Sequence, residues 1–301
     1  MVYGQVLEFV YPVPGPGQIK SELMSELKWD MKSIFYAGAQ VDFGRIDILS
    51  APGFFSSLTF KYGIPADSGI MEDRDWLSTT HDRLTHFSSS TNRTLQFFSL
   101  NADIGVSLPV GSYFFAKPFI SGRWMRFSFM ARDGYGTYAR RDGLIYHPID
   151  VNPSECEFRG DVISYKQDWL LFSPGISLGA KILPFAFDIS FKISLFSYCA
   201  SRDDHLGGTE IIWSSGNHQV SDEQIFFDYT RMGLFMEPAF SLSFTVRRIE
   251  LLLEFSGLYI GSTRGETYYN RNNSEFRLST TTTAGAGISL LDTRFLVRIH
   301  L

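Results

Sequence analysis

Ser33-Ile34-Phe35-Tyr36-Ala37-Gly38-Ala39-Gln40-Val41-Asp42-Phe43 is the stretch that decides the fold. Successive side chains of a strand point to opposite faces. This run therefore splits into Phe35, Ala37, Ala39, Val41 and Phe43 on one face and Ile34, Tyr36, Gly38, Gln40 and Asp42 on the other. The first face is apolar throughout. The second is mixed and ends in an amide and a carboxylate, as the wall of a wet lumen would. The same period-two alternation recurs at 4–11, 23–29, 46–62, 95–107, 113–131, 162–181, 185–199, 225–246, 249–260 and 276–291, while helical spacing is scarce. The chain reads as all-β.

Several of these runs exceed the ~5 to 6 residues usual in soluble sheets, and many cover the ~9 to 11 that a tilted strand needs to cross a bilayer. Connections alternate in length. Short ones fall near Gly44-Arg45, 108–111, Leu183-Pro184 and Arg247-Arg248, and long polar ones follow Tyr62, Ala131, Cys199 and Ile260. With 23–43 as one strand, four short turns and five long connections give ten strands. A soluble sandwich alternates in the same way, but long strands joined by short turns at one end and long loops at the other fit a single antiparallel transmembrane barrel spanning 1–301. The Pro- and Gly-rich segment 12–17 is short enough to be the first outer loop. Residues 292–301 either continue the last strand or add another.

Composition narrows the function. The 301 residues are 44% hydrophobic and 16% aromatic, yet the mean hydropathy is −0.03, so polar residues must alternate with the many rings. The longest stretch free of Asp, Glu, Lys and Arg is the fourteen-residue 278–291, rich in Ser, Thr and Gly. It falls short of the ~18 to 20 apolar residues of a spanning helix. A net charge of −5 without a basic block argues against nucleic acid as a partner. No signal segment precedes the first strand, so an exported chain would have lost its targeting peptide. Two cysteines, Cys156 and Cys199, allow at most one bridge, and both are expected at loops.

Two loops carry candidate chemistry. After Tyr62 comes Ile70-Met71-Glu72-Asp73-Arg74-Asp75-Trp76, where Asp73 and Asp75 share a face if the backbone is extended. Two carboxylates that close repel unless hydrogen-bonded or sharing a proton. After Cys199 comes Ser201-Arg202-Asp203-Asp204-His205, where Asp203 and His205 share a face. A carboxylate beside an imidazole fixes its tautomer and raises its basicity, as a general base requires. Taken singly, each motif also fits a solvated loop tip. His81, His86, His147, His218 and His300 have no sequence partner at metal-ligand spacing, and the chain contains no Ser nucleophile elbow, Walker loop or HExxH helix.

Met71-Glu72-Asp73-Arg74-Asp75-Trp76, Arg126-Phe127-Ser128-Phe129 with Ala131-Arg132, Tyr165-Lys166-Gln167, Phe191-Lys192 ahead of Asp203-Asp204-His205, and Thr282-Thr283-Ala284-Gly285 occur in that order. Together they resemble the omptins, outer-membrane proteases built on a ten-stranded barrel. The resemblance implies a surface endopeptidase, monomeric and without a metal, acting on peptides or proteins. A water held between Asp73 with Asp75 and Asp203 with His205 would be the nucleophile. It also implies that Glu8 lines a pocket for a basic side chain before the cleaved bond. Ser201 stands where the family has a second pocket acid, so basic preference should be weaker. Arg126 matches a position that contacts lipopolysaccharide, which the family requires. Asp168 occupies a position where the family carries Arg, which argues for weaker lipid dependence. A barrel of this fold that binds surface ligands without cutting them is the alternative reading, and a passive pore is a third.

Overall fold

The structure is a computed structural model describing residues 1–13, 22–44, 51–143, 145–271 and 274–300. Ten strands form the ring: β1 (Val2–Pro12), β2 (Ser25–Ile34 continued by Tyr36–Gly44), β3 (Gly53–Gly63 continued by Ala66–Asp75), β4 (His86–Val110), β5 (Phe114–Tyr138), β6 (Ser154–Ile182), β7 (Phe185–Ser194 continued by Phe196–His205), β8 (Gln224–Arg231 continued by Phe235–Val246), β9 (Ile249–Ile260 continued by Arg264–Arg271) and β10 (Thr282–Ile299). Each pairs antiparallel with its sequence neighbour, and β10 returns to β1 from Val2↔Asp292 to Pro12↔Thr282. Closure leaves the ring without an edge, so every strand finds hydrogen-bond partners on both sides.

The interruptions in β2, β3, β7, β8 and β9 are local bends whose backbones bond to one another. Ile64 donates to Phe35 at 2.8 Å, Met232 to Ser197 at 2.9 Å and Gly261 to Leu234 at 2.9 Å. They lie where the apolar belt ends. Below them, toward the short turns, outward residues are apolar and exposed: Phe185, Phe187, Ile189, Phe191 and Ile193 alternate with inward Ala186, Asp188, Ser190, Lys192 and Ser194. Tyr62, Trp124, Tyr198 and Tyr259 are exposed at the upper margin, as in the aromatic girdles of such barrels.

Above the belt the strands run on, which corrects the sequence reading. Ile70–Asp75 and Ser201–His205 were expected in loops, but both lie within β3 and β7. Outward positions there are polar as well (Glu72, Arg74, Arg202, Asp204), so the apolar-to-polar contrast that marks a strand disappears although its hydrogen bonding continues. Cys156 and Cys199 are likewise on strands, buried and free. Cys199 pairs with Trp169, thirteen residues along β6 from Cys156, or roughly 43 Å at the rise of a strand. Residues after Asp292 continue β10. The turn expected at Gly44-Arg45 and most of the 12–17 segment fall outside the described residues.

Three layers fill the barrel. In the middle, Trp29 stacks on Tyr165 at 5.2 Å and on Phe129 at 5.5 Å, and Phe97 stacks on Phe127 at 5.5 Å, with Met31, Ile34, Met71 and Met125 packed around them. These rings seal the lumen. Beneath them lies a cavity of about 1200 Å³, lined by ion pairs of Arg123 with Glu237, Lys192 with Asp103 and Glu237, Lys61 with Asp292, Arg294 with Glu254 and Arg298 with Glu250. Above them the lumen opens into a groove toward the long loops.

Candidate active site

The groove lies between β3 and β7. On β3 the residues at Met71, Asp73 and Asp75 face inward, and the Ser25 hydroxyl on β2 donates to Asp73 Oδ1 at 3.3 Å. On β7, Asp203 Oδ2 accepts from His205 Nε2 at 2.9 Å. The Asp203 side chain is 3% exposed, against 40% for His205, so the carboxylate is shielded while the ring remains reachable from the groove. With Nε2 committed to Asp203, Nδ1 is the ring atom left to take a proton. The Phe226 ring meets the imidazole edge-on at 5.7 Å and limits its swing.

The two pairs feel each other across the groove. Burial alone pulls the His205 imidazole down, but Asp203 beside it, with Asp73 and Asp75 opposite, more than offsets this and raises it to about 9. Burial pushes Asp73 up, and Asp75 and Asp203 push it further, although His205 and the Ser25 hydroxyl pull back. Burial pushes Asp75 up to about 6. All four residues expected from the sequence therefore meet in one electrostatic unit.

Glu8 projects from β1 into the same lumen, 3% exposed, with Oε2 lacking a partner. Burial pushes it well up, and Asp203, Asp228 and Asp73 add to the shift. Ser201 is buried, and its hydroxyl donates to Asp228 Oδ2 at 3.3 Å. Asp228 went unnoticed in the sequence. It sits on β8 opposite Ser201, 3% exposed, with Oδ1 unpartnered. An acid at the lumen-facing position of Ile225-Phe226-Phe227-Asp228-Tyr229 was the available signal, but its proximity to Ser201 depends on the pairing of β7 with β8. A buried acid on the next strand thus lies beside Ser201.

Arg126 and Asp168 lie on the outer wall, paired in register between β5 and β6. Arg126 donates to Asp168 at 2.6 Å and 3.2 Å, and Lys166 approaches the same carboxylate at 3.2 Å. The carboxylate thus engages both neighbouring cations. Among the described residues no group of three or more His, Cys, Asp or Glu is disposed to hold a metal.

Closed strands, an apolar belt and an internal floor define a transmembrane β-barrel of the outer-membrane type, with an Asp/His groove at its long-loop end. The chain belongs to the omptin family, whose model matches residues 1–297. It is similar to the crystal structure of the outer membrane protease OmpT from Escherichia coli, with a TM-score of 0.73 at 14% identity over 97% of this chain and 93% of that one. The translocator domain of the autotransporter NalP from Neisseria meningitidis aligns at 9% identity over 96% of this chain and 87% of its own, with a TM-score of only 0.23. No curated protein matches the sequence.

Proposed function

We propose that the chain is a cell-surface endopeptidase, its groove facing outward, in which Asp73, Asp75, Asp203 and His205 activate a water molecule. The observation that carries this reading is the His205 Nε2 to Asp203 Oδ2 bond at 2.9 Å, set opposite an acid pair that has no Lys or Arg partner among the described residues. Neutral His205 takes a proton from water at Nδ1 as the water oxygen attacks the peptide carbonyl carbon. Asp203 holds the resulting imidazolium, Asp73 orients the water from the far wall, and Asp75 biases the protonation of Asp73. The tetrahedral intermediate collapses with cleavage of the C–N bond, and the imidazolium returns its proton to the departing amine. General-base assistance of this kind supplies roughly 10²- to 10⁴-fold.

Glu8 and Asp228 form the pocket before the cleaved bond and take a Lys or Arg side chain, with Ser201 holding Asp228 in place. Two unpartnered carboxylate oxygens in a buried site favour a cation, because bringing one in relieves their mutual repulsion. The test is to incubate the refolded barrel with a mixed peptide library, with and without lipopolysaccharide, and to sequence the products. Cleavage after Lys or Arg that disappears in His205→Ala is expected. Products unchanged in His205→Ala would overturn the reading.

A further inference from the structure

The two ends of the groove differ in chemistry. Around β8 to β1 it closes on Glu8 and Asp228. Around β4 to β6 the inward positions carry rings instead. His86 pairs in register with Asp75 on one side and Tyr138 on the other, which puts Tyr138 two strand spacings, roughly 10 Å, from Asp75. Tyr138 meets His86 edge-on at 5.1 Å and Trp213 at 5.6 Å, and His86 meets Tyr146 at 5.0 Å. Gly136 makes room for this: a Cβ there would strike the Tyr138 ring and come within 3.0 Å of Phe158 Cζ.

These rings carry no charge of their own and lie beside a strongly acidic surface, with the Arg141 guanidinium over the outermost ring, Tyr146, at 5.1 Å. Burial pulls His86 down to about 4, so it is a neutral ring across the working pH range. Burial, with Cys156, Asp73 and Asp75 adding, keeps the Tyr138 hydroxyl protonated. Phe158 is buried, whereas His86, Tyr138, Tyr146 and Trp213 are only half-buried. The hairpin of Glu210–Trp213 and His218–Val220 is already held against β6 by main-chain pairing from Cys156↔Trp213 to Arg159↔Glu210, so the ring cluster is not needed to fix it. The rings continue from that hairpin along the wall to the catalytic acids.

We propose that this end of the groove is a second recognition subsite, which takes an aromatic or large apolar side chain of the peptide on the side of the scissile bond away from Glu8 and Asp228. It rests on the endopeptidase reading for its place in catalysis. A substrate extended between β3 and β7 with its basic residue among the acids directs its following residues toward β4 to β6. Edge-to-face packing of a substrate ring against Tyr138 and Trp213 favours it over alanine by about tenfold.

The test uses two peptides identical except for Phe or Ala after the cleaved bond. With the refolded wild type, KM should be about tenfold lower for the Phe peptide at similar kcat. Trp213→Ala and, separately, Tyr138→Leu should raise KM for the Phe peptide while leaving the Ala peptide unchanged. Wild type without discrimination, or discrimination surviving both substitutions, overturns the proposal. Should wild type cleave neither peptide, binding of each to the intact barrel, followed by tryptophan fluorescence and competition, still decides it. Tighter binding of the Phe peptide that both variants lose supports the subsite, and equal binding of the two peptides refutes it.

Discussion

The lower and upper lumen both hold inward-facing acids but treat them differently. Below the aromatic floor, Asp103, Glu237, Glu250, Glu254 and Asp292 each meet a Lys or Arg, Glu250 and Glu254 through in-register partners on the neighbouring strand, while Asp188 bonds to the Ser177 hydroxyl instead. Above it, Glu8, Asp73, Asp75, Asp203 and Asp228 crowd together, and among the described residues none of them has a Lys or Arg ion-pair partner. Pairing compensates for the cost of removing charge from water. Leaving acids unpaired keeps that cost standing until a proton or a cation arrives. The lower set is compensated as it stands, whereas the upper set, on the proposed reading, is kept ready to bind and react.

The sharpest break between the regions comes from His205→Ala, which should lower turnover by roughly 10²- to 10⁴-fold while the barrel keeps its heat-modifiable gel migration. Asp203→Asn should leave more activity, since orientation degrades but the base survives. Because the acids raise His205 to about 9, the free base dominates only above that pH. Turnover in wild type should therefore climb through neutrality toward about 9. Losing the Asp203 charge should move this limb to lower pH, which a pH profile of the residual activity reads directly. A limb unmoved in Asp203→Asn would sever the link between the pair and the rate.

Glu237→Gln makes the opposite demand on the lower lumen. Arg123, which donates to Glu237 at 2.8 Å, and Lys192 would both lose their shared acid. Breaking a buried pair in this way costs about 3 to 5 kcal/mol. The temperature of gel-shift unfolding should drop, with turnover per folded barrel unchanged. A kinetic defect comparable with that of Asp73→Asn would show that the two regions are not separate.

Much of this division was legible in the sequence. Alternation from Ser33 to Phe43 revealed both the wall and the wet side, and spacing two apart put Asp73 with Asp75 and Asp203 with His205 on shared faces; that the two pairs face each other across a groove came from the resemblance to the omptins. Spacing along one strand is local information, so it survives in the chain as written. Asp228 was not legible because it reaches Ser201 only through the pairing of β7 with β8, which the sequence of neither strand states. The loop assignment of Ser201–His205 failed for a related reason: above the belt the outward positions Arg202 and Asp204 turn polar, and the strand loses its signature without losing its hydrogen bonds.

Within the upper region, Asp228→Asn should weaken selectivity for Lys and Arg by about one to two factors of ten, since the cation keeps Glu8 alone. Glu8→Gln should do the same. Burial pushes Asp228 up to about 7, with Asp203 adding and the Thr267 and Ser201 hydroxyls pulling back. Below that pH it is neutral and offers a cation little, so selectivity for basic residues should rise as pH rises through about 7. This rise should be absent in Asp228→Asn. Measuring kcat/KM for matched Lys and Ala peptides at several pH values isolates the pocket from the base, because the His205 limb is common to both.

The smallest effect concerns the outer wall, where pairing returns. Arg126 lies with Asp168 at 2.6 Å, and Lys166 reaches the same carboxylate at 3.2 Å. A lipid phosphate would have to displace that carboxylate from a two-pronged contact, exchanging one charge-assisted bond for another with little net gain. Adding lipopolysaccharide to detergent-solubilised wild type should therefore change turnover by no more than a few-fold, in the range that an exposed ion pair is worth. Asp168→Asn frees both cations without changing the size of the side chain, so the variant should bind the lipid more tightly and respond to it more strongly than wild type does. Titrating lipopolysaccharide into both barrels and reading peptide turnover compares them directly. If wild type is inactive without the lipid and Asp168→Asn behaves identically, the Asp168 carboxylate is not what stands in for the phosphate.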